Sequence, residues 1–132
     1  MSEVTTVASP HLPQAAPIDA YGNGGFRFAG MSHRGSLLCL PGGIWASAVR
    51  SAPEIDDVAL ALVLDPDSPA GVIDHLLVGT GKNLIPVAPA LRDALKARRI
   101  VVEPMATGAA VRTWNILLGE RRRVGALLVM VD

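Results

Sequence analysis

Cysteine is almost absent from this chain: Cys39 is the sole one in 132 residues. No intrachain disulfide can form, which suits a reducing compartment. Its neighbours in Ser36-Leu37-Leu38-Cys39-Leu40 are apolar. A buried, inert thiol is therefore expected, since a reactive one needs exposure and a nearby cation. Aromatic residues make up only 4% of the chain, too few for a base-stacking platform. A surplus of either charge is missing too, because twelve Lys+Arg offset twelve Asp+Glu. A general nucleic-acid binder needs a basic face to displace counterions from phosphate, so no nucleic-acid partner is expected. No apolar run reaches the about twenty residues of a membrane-spanning helix. The longest promising uncharged stretch, Gly35 to Val49, is cut by Pro41-Gly42-Gly43.

Metal and nucleophile signatures are lacking as well. His11, His33 and His75 lie in separate segments without zinc-ligand spacing, so no metal is expected. There is no Gly-x-Ser-x-Gly elbow, and Cys39 has no evident base partner, so no catalytic residue is assigned. Asp56 and Asp57 are adjacent, and adjacent side chains on a helix do not face each other.

What remains is a globular composition, half apolar and 18% charged, of a length that fits one domain. Residues 1–17 carry no Lys or Arg, which fits neither a secretory n-region nor an Arg-rich organelle presequence. Pro10, Pro13 and Pro17 among Ser, Thr and Ala read as a mobile tail that packs little. Residues 18–132 then form a single α/β domain. Phe26-Arg27-Phe28 alternates, Met31 to Gly35 turns the chain, and Ser36 to Leu40 runs apolar. That pattern predicts an N-terminal β-hairpin, with a further strand at Ile44-Trp45-Ala46. Pro53 to Leu64 suits helix or strand; Asp56 and Asp57, placed in a first turn, favour helix through Leu64.

The second half is more regular. Strands are predicted at His75–Val78, Ile100–Val102 and Val124–Val131, and helices at Pro89–Arg98 and Thr107–Leu118. Thr107 reads as the cap of the second helix, and Val111, Trp114, Leu117 and Leu118 form its inward stripe. About twenty residues separate successive strands, enough for two right-handed crossovers and a β-α-β-α-β core.

In such a unit the loops after parallel strands open on one edge of the sheet, where ligands of open α/β sheets usually bind. Gly79, Thr80, Gly81 and Lys82 would share that edge with the helix start at Thr107, Gly108 and Ala109. Free amides at a helix N-terminus attract anions, and Lys82 would add a point charge. A bland alternative stands beside this crevice: the glycines permit a tight turn and Thr107 only caps. Arg112 and Asn115 share a helix flank, where they either bind a partner or pin neighbouring loops. Charge is also segregated. Residues 51–81 hold six acids and no Lys or Arg, whereas Arg92, Lys96, Arg98, Arg99 and Arg121-Arg122-Arg123 are basic clusters. These are either solvated faces or docking surfaces of opposite sign.

Four segments occur in a telling order: Tyr21-Gly22-Asn23-Gly24-Gly25-Phe26-Arg27-Phe28, Gly35-Ser36-Leu37-Leu38, Leu77-Val78-Gly79-Thr80-Gly81-Lys82, and Met105-Ala106-Thr107-Gly108-Ala109-Ala110-Val111-Arg112-Thr113-Trp114-Asn115. Over about residues 18–131 the chain resembles a small-protein family that includes the mitochondrial assembly factor for respiratory complex I and an adipogenesis-associated animal homologue. The resemblance implies a three-layer α/β fold with a mixed sheet. It implies no established catalytic activity and no cofactor, and a role carried by protein contacts. Without a presequence the chain looks like a bacterial relative, expected in the cytoplasm or at the inner face of the membrane. Its expected partner is a protein, such as a membrane-complex subunit or insertion machinery. The alternative is a small-molecule or anion-binding protein or enzyme using the Gly79–Lys82/Thr107 crevice.

Overall fold

The computed structural model describes residues 9–132. Two sheets carry the fold. Strands β1 (Ala20–Gly22), β2 (Gly25–Phe28) and β3 (Met31–Arg34) form an antiparallel meander. Strands β4 (Ser36–Leu40), β5 (Gly43–Ser47), β6 (His75–Gly79), β7 (Val101–Met105) and β8 (Val124–Leu128) form a mixed sheet in the order β5-β4-β8-β6-β7. Within it β4 runs antiparallel to β5 and β8, while β6 is parallel to β7 and β8. Helices α1 (Ala61–Leu64), α2 (Pro89–Ala97) and α3 (Thr107–Gly119) complete the order.

The layers follow from strand periodicity. Leu37, Cys39, Leu77, Ala126 and Leu128 face one side of the large sheet, where they pack with Trp114 of α3 and with Phe26 and Phe28 of the meander. Leu38, Leu40, Leu76, Val78 and Leu127 face the other side and meet Leu91 and Leu95 of α2, with Leu60 and Val63. Both faces are covered, which explains why β4 and β8 are buried at every position. The first crossover steps from β6 to β7; the second steps back past β6 to β8. Crossovers of one hand that step in opposite directions put their helices on opposite faces. This is the expected three-layer α/β architecture with its β-α-β-α-β core.

The N-terminal region differs from expectation in its pairing. Met31–Arg34 is not a turn but a strand, paired with Gly25–Phe28. Ser36–Leu40 belongs to the other sheet, paired with β5 and β8. Two tight turns explain the meander. Asn23 and Gly24 have φ of 52° and 78°, and Ala29 and Gly30 have 51° and 75°. Two consecutive positive φ values mark the two-residue turn whose twist suits a hairpin.

Residues 9–17 also depart from the predicted tail, whose residues 1–8 lie outside the described part. The His11 amide donates to the Ile44 carbonyl at 2.8 Å, and the Ile44 amide to the Leu12 carbonyl at 2.9 Å, so the chain extends the sheet beyond β5. Ala16 is buried, and its carbonyl accepts the Trp114 indole N–H at 2.9 Å. The prolines stiffen this segment rather than detach it. The helix predicted from Pro53 to Leu64 shrinks to a 3-10 turn at Ala52–Glu54 and to α1. Asp56 accepts the Ala59 amide through Oδ1 at 2.9 Å, the bond a helix-capping carboxylate makes, but regular α-helix follows only at Ala61–Leu64.

Candidate functional site

The C-terminal ends of the parallel strands bring the two expected turns together. The chain leaves β6 at Gly79 and β7 at Met105, and Thr107 starts α3. The Gly81 amide donates to Thr107 Oγ1 at 2.9 Å, and the Thr107 amide donates to the Gly81 carbonyl at 2.8 Å. Thr107 Oγ1 in turn donates to the Val129 carbonyl at 2.7 Å, just beyond β8. One buried hydroxyl thus joins the outlets of β6, β7 and β8.

Thr107 does not cap α3, contrary to expectation. The cap position is Ala106, which has no side-chain oxygen, and the Thr107 hydroxyl is turned across the sheet instead. Thr80 is engaged in the same way. Its amide donates to the Met105 carbonyl at 2.8 Å, and its hydroxyl donates to Asn83 O at 2.6 Å while accepting the Ile85 amide at 3.0 Å. Gly79 is required by packing: an added Cβ would lie 3.0 Å from Thr107 Cα and 3.1 Å from Ala110 Cβ. Gly81 has φ of +109°, a conformation that favours glycine. Gly108 lies against the Tyr21 hydroxyl, so the meander also reaches the rim. Lys82 is exposed, and Gly108 and Ala109 are half-buried.

On the flank of α3, Asn115 pins a loop. Its Oδ1 accepts the Ile18 amide at 2.8 Å and its Nδ2 donates to the Ile18 carbonyl at 2.9 Å. Arg112 is exposed on the same helix. The acidic and basic clusters touch where Arg123 meets Asp74 at 3.1 Å. Cys39 is fully buried, and burial pushes its thiol well above the ordinary range, as its apolar setting predicts. The His33 ring packs at a tilt against His11 with ring centroids 4.8 Å apart, and its Nε2 donates to the Ser36 carbonyl at 3.2 Å. Burial holds the His33 imidazole below its usual value. The Ser36 carbonyl opposes that shift, and His11 adds to it.

A second concave surface was not foreseen from the sequence. The outer face of the meander holds a depression of about 450 Å³ whose lining includes Ala20, Gly22, Gly25, Arg27, Ser32 and Arg34. The signal that would have exposed it is Asn23-Gly24 between alternating residues, a strong hairpin marker. No helix among the described residues is long and apolar enough to cross a membrane.

Comparisons with known proteins agree with this architecture. The chain is 42% identical over 91% of its length to an uncharacterised protein of Rhodobacter capsulatus, covering 89% of that protein. It is 33% identical over 89% of its length to the mouse NADH dehydrogenase [ubiquinone] 1 alpha subcomplex assembly factor 3. The match spans 62% of that longer relative, a little under two thirds. A crystal structure described as an outer membrane protein from Bartonella henselae superposes with a TM-score of 0.85 at 48% identity, over 92% of this chain and 100% of that one. The family described as "Protein of unknown function (DUF498/DUF598)" matches residues 18–129. Most of the chain lies within that match, and the chain belongs to the DUF498/DUF598 family.

Proposed function

We propose that this protein is a non-enzymatic binding protein that assists the biogenesis of a membrane protein complex, with respiratory complex I as the candidate. The observation that carries the reading is the 33% identity, across 89% of the chain, with the mouse complex I assembly factor. Its field of action on this reading is the cytoplasm and the inner face of the membrane, where a protein partner is met. The chemistry of the rim supports binding over catalysis. The hydroxyls of Thr80 and Thr107 are spent on backbone partners, and the Cys39 thiol is buried. Lys82 and Arg112 remain exposed as partner contacts.

The alternative, a small anion held by Gly79–Lys82 and Thr107–Ala109, has less to draw on. The Thr107 amide is already taken by the Gly81 carbonyl, and both threonine hydroxyls are occupied. The test is deletion of the gene in its native host, followed by native electrophoresis of solubilised membranes. Assembled complex I should fall and subassemblies accumulate, and the full-length protein supplied in trans should reverse both. Normal levels of the assembled complex in the deletion strain would overturn the reading.

A further inference from the structure

We propose that the outer face of the β1–β2–β3 meander is a docking surface for an extended acidic segment of a protein partner. The inference rests on the protein-partner reading above and names the surface and the chemistry it recognises. Strand alternation buries Phe26 and Phe28 against the core, which sends Arg27 to the outer face. The register pairs Arg27 with Ser32 and Gly25 with Arg34, so Arg34 stands on the same face, one row along. Both arginines are exposed. Among the described residues neither has an ion-pair partner: the pairs present are His75–Glu103, Arg122–Glu120 and Arg123–Asp74.

Between the two guanidinium stems the face is bare. Gly25 and Ser32 stand there and Ala20 and Gly22 lie alongside on β1, none larger than a hydroxymethyl group, and with Tyr21 and His33 also in the lining they bound the depression of about 450 Å³. A chain can therefore approach the sheet closely. The spacing selects its form. Diagonal neighbours across an antiparallel pair are about 7–8 Å apart. Same-face residues of an extended chain repeat every ~7 Å. Two carboxylates at alternate positions of a partner strand thus meet Arg27 and Arg34 together. Each guanidinium can take its carboxylate through two parallel hydrogen bonds. Two long arginine side chains can also converge on one small anion, and the phosphate arm of the experiment separates that case from a strand. An acidic segment would also be steered towards this face before contact.

The experiment is a titration of the ¹⁵N-labelled full-length protein with a short peptide that alternates threonine and glutamate. Its glutamine counterpart and sodium phosphate are run in parallel. The glutamate peptide should shift the amides of Ala20, Gly22, Gly25, Arg27, Ser32 and Arg34, and the glutamine peptide should not. In the double variant Arg27→Gln, Arg34→Gln binding should weaken at least about tenfold, the worth of one lost charge-assisted hydrogen bond. The melting temperature of that variant should stay within error of the parent, because both side chains are exposed. Amide shifts that fall elsewhere, equal shifts from the glutamine peptide, or unchanged affinity in the variant would overturn the proposal. Equal shifts from phosphate alone would do so too, by making this a free-anion site. The titration does not involve complex I. Normal complex I in the deletion strain would sink the assembly reading and leave this surface to be judged by the amide shifts.

Discussion

Thr107 ties three strand outlets together through one side chain at the rim. Its hydroxyl accepts from Gly81 and donates to Val129, and it is wholly buried. Thr107→Val keeps the shape but strands a buried amide and a buried carbonyl. The expected cost is about 1–3 kcal/mol for each unsatisfied group, read as a lower midpoint in urea unfolding, with Thr107→Ser close to the parent. From sequence the residue looks like a helix cap, because a threonine preceding an apolar helical stripe usually is one. Its partners lie 26 and 22 residues away, and no local spacing reveals them. Trp114 was legible for the opposite reason: helical periodicity alone places it inward, and it is completely buried. Asn115 is intermediate. Its flank position was readable, whereas the clamp on Ile18 depends on a contact 97 residues distant.

Among the elements, the two turns of the meander set the register of everything attached to it. Gly30 has φ of +75° with no atom crowding its Cβ direction, so substitution there is a test of backbone conformation alone. Gly30→Ala should cost about 1–2 kcal/mol, the penalty of a side chain in the left-handed region. Gly119, at the end of α3, has open space and no positive φ, so Gly119→Ala serves as a control that leaves stability unchanged or slightly raised. Thermal or chemical denaturation of the two variants separates the effects. The Asn23-Gly24 turn was written in the sequence, but Ala29 in a left-handed conformation was not, since alanine seldom adopts it. The parallel strands and their two helices were legible because long periodic segments dominate there. The segment from Pro53 to Leu64 was legible only in part: Asp56 takes the Ala59 amide as a first-turn carboxylate does, but regular α-helix covers only Ala61–Leu64.

At the level of the whole molecule, residues 9–17 are part of the domain rather than an appendage. A variant that begins at residue 18 loses the Leu12 pairing with Ile44 and leaves the Trp114 indole N–H without its acceptor. It should be less stable by at least about 1–3 kcal/mol, and the Ile44 amide should exchange faster with deuterium. Proline-rich composition concealed this, because it reports chain stiffness and says nothing of what a stiff segment lies against. The rim was foreseeable as a meeting of two turns, since topology dictates which loops share an edge. The meander's arginine-bearing face was only half so, because Asn23-Gly24 marks one turn but the register that places Arg34 follows from the Ala29-Gly30 turn.

The opposite border of the large sheet has its own consequence. Strand β7 is the outermost, and the Val101 amide donates to the Asp74 carbonyl while the Met105 carbonyl accepts from Thr80, so residues 101, 103 and 105 turn their backbone groups inward. Val102 and Pro104 turn theirs outward, and proline offers no N–H. The rim of the sheet therefore presents an interrupted ladder to any strand arriving from another molecule. Such a protein can expose Val101 at high concentration and still resist stacking into fibres.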